Sequence, residues 1–260
     1  MLFIKILCLC LLVSSIGFIK FLYFISYGYG FSIAASGLFL LITQNPDLEE
    51  IIFAILYISY GLRLSLFLII RNIKSTYTTK MKGQIKKNED FKFFVLVIMW
   101  LSCALLYACQ VSPLVFRILS PEKDKFLLYI GVIISLIGFF IEIEADNQKS
   151  KAKKVNPNRF VDTGLYRFCR CPNYFGEIIF WTGSFIGGIK IYDGFFQWFS
   201  AFLGYIGIVY VMFSGARRIE INQNKSYGKN KEYIEYTKNT PILIPFVPIY
   251  SVEKYYWLRG

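Results

Sequence analysis

The run Arg167-Phe168-Cys169-Arg170-Cys171-Pro172-Asn173-Tyr174-Phe175-Gly176-Glu177 gathers two arginines, an amide and a carboxylate just ahead of the apolar stretch Ile178-Ile179-Phe180-Trp181. Guanidinium groups match the planar, multidentate geometry of phosphate. A carboxylate carried into an apolar segment is costly and is kept mainly where it acts. Pro172 fits the first position of a helix, where its missing N–H loses nothing. Asn173 and Glu177 then stand at i and i+4 on one face, while Gly176 and Gly183 share a second face open to a close neighbour. The helix start adds partial positive charge beside Arg167 and Arg170. This chemistry suits an anionic cofactor held at a membrane surface. The plainer alternative is an interfacial helix start in which Glu177 pairs with an arginine for packing.

Three further groups deserve the same weighing. Glu142 and Asp146, again i and i+4, can accept hydrogen bonds from a ribose or an adenine amino group, pair with Arg167 and Arg170, or simply end a helix in solvent. Arg63 and Arg71 lie about two turns apart on one helix face. Arg71 can snorkel to the interface, whereas Arg63 sits deeper. Tyr57 and Tyr60, on nearby turns, serve either as proton donors or as aromatic packing. Arg217, Arg218 and Glu220 follow the last apolar run, as a positive anchor or as phosphate contacts.

Other chemistry is excluded. The chain has no histidine, so Ser-His and Cys-His pairs and imidazole-based zinc sites are absent. Of the six cysteines, Cys8, Cys10, Cys103 and Cys109 fall in apolar stretches as small core residues. Cys169 and Cys171 form a C-x-C with no second pair to complete a metal site, so no metal is expected. Neither G-x-G-x-x-G nor G-x-x-x-x-G-K-[ST] occurs, so any nucleotide must bind among membrane helices and their ends.

The elements that must position these groups are membrane helices. The 260 residues are 55% hydrophobic and 19% aromatic with a mean hydropathy of +0.48, values of an integral membrane protein. The +12 formal charge fits basic loops facing the cytoplasm, and nucleic-acid binding is not expected. Apolar runs of about 20 residues suffice to cross a bilayer. They fall at residues 3–26, 28–44, 50–70, 93–116, 124–143, 174–190 and 194–214, giving an all-α bundle of about seven spans in one domain, 1–260. Met1–Gly17 resembles a signal peptide, but its apolar character continues, so it reads as a retained first span. The loop 71–92 carries Arg71, Lys74, Lys80, Lys82, Lys86, Lys87 and Lys92 against Glu89 and Asp90. The loop 144–173 is also basic, whereas Asp47, Glu49 and Glu50 make the connector near 45–50 acidic. Charge asymmetry therefore puts both basic loops, the cofactor site and the tail in the cytoplasm.

Several ordered motifs resemble one known family. Gly164–Glu177 resembles the G-L-[WY]-x-x-[ST]-R-H-P-N-Y-F-G-E stretch of the steroid 5-alpha reductase C-terminal-domain superfamily, closest to its uncharacterised domain-of-unknown-function branch. Asp146-Asn147-Gln148-Lys149 is similar to that branch's D-x-Q-K, and Arg63 through Arg71 to its R-L-x-x-x-L-x-x-R helix. Tyr227-Gly228, Glu232–Tyr236 and Thr240–Pro245 are similar to its Y-G…Y-x-x-Y…T-P-x-L-I-P ending. The resemblance covers about residues 50–250, with 1–49 supplying N-terminal transmembrane helices.

The resemblance implies a membrane-embedded reductase that uses NADPH to saturate a carbon–carbon double bond conjugated to a carbonyl in a steroid or fatty-acyl type of lipid. It implies that Asn173 and Glu177 meet the nicotinamide end. Glu142, Asp146, Arg167 and Arg170 become further cofactor contacts, with Arg217 and Arg218 at the phosphates. Glu177, Tyr57 and Tyr60 become the catalytic candidates and Arg63 a substrate contact. Two departures stand out: Cys171 occupies the family's histidine position, and the early helices lack the Gln-Glu pair that engages a steroid ketone. The alternatives are an S-adenosylmethionine-dependent membrane methyltransferase like isoprenylcysteine carboxyl methyltransferase, and a non-catalytic lipid-binding or scaffold protein. The expected partners are the bilayer and a lipid-like substrate. The expected site is the endoplasmic reticulum membrane in a eukaryote or the plasma membrane in a bacterium.

Overall fold

A computed structural model describes residues 1–73, 88, 91–122 and 124–258. Most of the expected basic loop, including Lys74, Lys80, Lys82, Lys86, Lys87, Glu89 and Asp90, lies outside the described residues. Among those described there are nine α-helices and no strand. They are α1 (Leu2–Ser14), α2 (Leu22–Ile25), α3 (Tyr27–Thr43), α4 (Leu48–Ile73), α5 (Phe93–Leu119), α6 (Phe126–Val155), α7 (Pro172–Ile186), α8 (Gly194–Tyr227) and α9 (Lys231–Asn239). Four are long and apolar enough to cross a membrane: α4, α5, α6 and α8.

The expected first span, 3–26, is not one helix. α1 stops at Ser14, a 3₁₀ turn follows at Ser15–Phe18, and α2 is a single turn. The cause is a contact distant in sequence. The Asn88 side chain donates to the carbonyls of Gly17 (3.3 Å) and Phe18 (2.7 Å) and accepts from the Phe21 amide. Backbone groups that a continuing helix would have paired are satisfied from outside instead. The Phe24 ring fills the space over Gly17, where a Cβ would lie 2.0 Å from it.

The chain packs as two compact units: Met1–Val132 with Phe185–Tyr205, and Ile133–Ser184 with Ile206–Gly260. In the first unit α3 and α4 meet along small residues. A Cβ on Gly61 would lie 2.3 Å from the Gly30 carbonyl oxygen, and one on Gly30 2.8 Å from the Gly61 carbonyl oxygen. Such backbone-to-backbone approach is how helices associate where lipid removes the hydrophobic drive. The second unit repeats the device between α6 and α7. A Cβ on Gly138 would stand 2.5 Å from the Gly176 carbonyl oxygen, and one on Gly176 2.7 Å from the Glu142 amide nitrogen.

Candidate functional site

The α6–α7 seam sets the level of the site. With the α6 backbone at Glu142 pressed on Gly176, Glu142 stands beside the first turn of α7, which begins at Pro172 as expected and carries Asn173 and Glu177. Glu142 and Glu177 are buried at 3% and 5% exposure, and Asp146, one turn along α6, at 6%. Asn173 is half-buried. Gly176 is thus used for helix contact, one of the two uses its spacing allowed.

The segment before α7 folds onto the end of α6. Gly164 adopts a left-handed backbone (φ 64°), and a Cβ there would lie 2.3 Å from Gln148 Oε1. That oxygen accepts the Leu165 amide at 2.8 Å. Tyr166 is buried against Ala145 and Val161, and donates to the Ala145 carbonyl at 3.3 Å. Burial lifts its phenol well above the ordinary range, and the Asp146 carboxylate adds to the rise. Tyr236 of α9 donates to the Tyr166 carbonyl at 2.7 Å. Gln148, Tyr166 and Tyr236 therefore brace the turn. The D-x-Q-K and Y-x-x-Y motifs contained them, but gave them no role.

Arg170 is the centre of the second unit's electrostatics. Its side chain is 1% exposed and pairs with Glu220, itself 3% exposed, at 2.8 Å. The same Nη2 donates to the Tyr250 carbonyl, and the Arg170 amide donates to the Pro241 carbonyl at 2.9 Å. Nε and Nη1 are buried with no hydrogen-bond partner among the described residues. Incomplete pairing of buried donors is costly, and the Tyr233 hydroxyl adjoins this guanidinium. Glu220 was expected as part of a basic anchor, and its partner 50 residues away carried no sequence signal.

The neighbouring thiols are not reactive. Burial pushes Cys169 up to about 12 and Cys171 up to about 11. Cys171, where the family carries histidine, is thus a neutral, sealed group whose carbonyl accepts the Phe175 amide at 3.1 Å.

The remaining arginines divide by environment. Arg167 is exposed and lines a groove with Arg159, Asp162, Glu235 and Asn239. Arg217 donates to the carbonyls of Glu253 (3.0 Å) and Leu258 (3.3 Å) and faces the Tyr256 ring. Arg218 is exposed and adjoins Tyr174.

Tyr57, Tyr60 and Arg63 belong to the first unit. Both tyrosines are fully buried. Tyr60 shares a 3.1 Å hydroxyl contact with Tyr29, which accepts from Gln110 Nε2 at 3.4 Å. Gln110 Oε1 and the hydroxyls of Ser32, Ser65 and Ser112 are buried without a hydrogen-bond partner among the described residues. Tyr57 packs on Phe53, with ring centroids 5.0 Å apart. Arg63 is half-buried rather than sealed, and with Arg71 it flanks the Phe67 ring at 5.3 and 5.9 Å. Tyr29 and Gln110 escaped notice in the sequence because single polar residues in apolar runs carry no local pattern.

The profile of the family described as "Protein of unknown function (DUF1295)" matches residues 19–240. The chain belongs to that family. It is also similar to Steroid 5-alpha-reductase DET2 of Arabidopsis thaliana, 30% identical over 120 residues, which are 45% of this chain and 41% of that protein. The chain thus matches about two fifths of that relative's length. No solved structure matches it. The resemblance seen in the motifs, to the steroid 5-alpha reductase superfamily and its domain-of-unknown-function branch, is borne out by both matches.

Proposed function

We propose that the protein is a membrane-embedded reductase that uses NADPH to reduce a conjugated double bond in a lipid-like molecule. The observation that supports this reading is Arg170, a buried guanidinium two positions before α7, the helix whose first turns carry Asn173 and Glu177. An anionic dinucleotide fits that donor set and the partial positive charge of the helix start. The relative named as a steroid 5-alpha-reductase gives the reaction class.

NADPH, when bound, supplies the hydride that reduces the β-carbon of the conjugated system. Arg170 would face a phosphate, with Arg167 and Arg217 adding positive field. Asn173 and Glu177 would hold the nicotinamide end, and Glu142 and Asp146 would accept hydrogen bonds from the rest of the cofactor. Tyr60 or Tyr57 donates to the substrate carbonyl and stabilises the negative charge that grows there. Arg63 contacts the substrate. Cys171 is no base near neutral pH, since burial keeps its thiol protonated.

Titration of the purified protein in nanodiscs with NADPH and with S-adenosylmethionine tests the reading. Micromolar NADPH binding that weakens in Glu177→Gln and Asn173→Ala is expected. Binding of S-adenosylmethionine alone would make the protein a methyltransferase. Binding of neither would leave a lipid-binding or scaffold role.

A further inference from the structure

Beyond the family-matched residues, 19–240, the chain lays a segment along α8. Arg217, Glu220 and Asn224 form one stripe of that helix, at i, i+3 and i+7. Arg217 holds the carbonyls of Glu253 and Leu258. Glu220 Oε2 accepts the Val252 amide at 2.9 Å, and Asn224 donates to Glu253 Oε2 at 2.7 Å. Val252 and Leu258 are sealed beneath, at 1% and 2% exposure.

What the segment turns outward is aromatic. Tyr256 and Trp257 are 78% and 64% exposed. Trp257 stacks on Tyr210, with centroids 6.1 Å and planes 28° apart, and its carbonyl accepts the Tyr210 hydroxyl at 2.8 Å. Tyr210 is itself exposed on α8, one of the helices long and apolar enough to cross a membrane. Trp257 is therefore pinned to the flank of such a helix, and Arg217 lies about two turns further along it. Earlier in the segment, Phe246 is 88% exposed and left-handed (φ 65°), 6.3 Å from the half-exposed Phe168 ring. A left-handed backbone strains a non-glycine residue, and here it presents a phenylalanine outward. Exposed rings of this kind gain nothing in water and gain much among lipid headgroups, where aromatic side chains concentrate.

We propose that residues 244–258 are an interfacial strap whose partner is the headgroup layer of the membrane, with anionic lipid preferred. Trp257, Tyr256 and Phe246 enter the layer. Lys254 and Arg218, both exposed, supply the charge that attracts anionic headgroups, while the Glu253 carboxylate is taken up by Asn224.

The test uses the full chain in nanodiscs. Subtracting the tryptophan emission of Trp257→Phe from that of the native protein isolates Trp257 and leaves the other three tryptophans in place. The Trp257 component should be blue-shifted, quenched by lipids brominated near the headgroup end of the chain, less quenched by bromine near the methyl end, and insensitive to aqueous iodide. The lipid quenching should be stronger with phosphatidylserine than with phosphatidylcholine, and the difference should vanish in Lys254→Glu with Arg218→Glu. A component quenched by iodide, or by neither lipid nor iodide, overturns the strap. Equal quenching in both lipids overturns the anionic preference. A headgroup-proximal photoreactive lipid should mark peptides containing Tyr255–Trp257, and its absence there would count equally against the proposal.

Discussion

In the first unit the sealed polar groups among the described residues are mostly neutral, including the Tyr29–Tyr60 hydroxyl pair, Gln110, Ser32, Ser65 and Ser112, with Glu50 and Arg117 the charged ones. In the second unit they include five charged groups, Glu142, Asp146, Arg170, Glu177 and Glu220, beside the hydroxyls of Ser135, Ser184, Ser214 and Thr240. Both units close their helices on glycine, so the seams are alike and the contents differ. Neutral hydroxyls and amides tolerate a low-dielectric interior at modest cost, whereas buried charge is sustained only by a partner or a ligand. The contrast is one of contents: the first unit seals mainly neutral polar groups and the second mainly charged ones. Buried charge in the first unit is met locally: Glu50 accepts the Asp47 amide and Arg117 donates to the Gly187 carbonyl.

The sharpest break of this comparison is Arg170→Ala. It strands a buried Glu220, and loss of one member of such a pair costs about 3–5 kcal/mol. A large fall in Tm is expected, with partial recovery in Arg170→Met with Glu220→Met, which restores fold but not anion binding. Next comes Gly176→Val, which drives a side chain into the Glu142 backbone and the Gly138 carbonyl. Overpacking of this kind costs about 1–3 kcal/mol or more, and thermal melts should show the loss alongside weakened NADPH binding. Tyr60→Phe removes one hydroxyl from the neutral network for about 0.5–1.5 kcal/mol. It should leave cofactor affinity intact while slowing turnover, and a matching loss of NADPH binding would blur the division between units.

A further effect is alkaline. Burial raises Cys169 and Cys171 from 9.0 to about 12 and about 11, so the folded thiols stay protonated while unfolded ones ionise. Their contribution is complete below pH 9 and is lost as pH climbs through about 11. Replacing Cys171 with Ala should flatten that limb of the pH–stability curve.

What could be read from the sequence follows how local each cause is. Pro172 announces a helix start because its constraint lies within its own residue. Asn173 and Glu177 share a face by helical period alone, and Gly176 advertises a close approach without naming Gly138 as the neighbour. The break after Ser14 was invisible because Asn88, far along the chain, imposes it. Arg170 was legible only as a cation beside a helix start. Its commitment to Glu220 and to the Tyr250 carbonyl was not, since ion pairs of that separation leave no spacing to read.

That last bond has a consequence for biosynthesis. Arg170 leaves the ribosome well before Glu220 and Tyr250, so its charge has neither its carboxylate nor its carbonyl until synthesis has passed both. Chains fold from the N-terminal side as they emerge, so the turn around Arg170 is among the last parts to be completed. A chain stopped between residues 220 and 250 would already carry the ion pair but lack the tail carbonyl. One stopped before 220 would hold an uncompensated arginine, a mark by which quality control could tell an unfinished copy from a finished one.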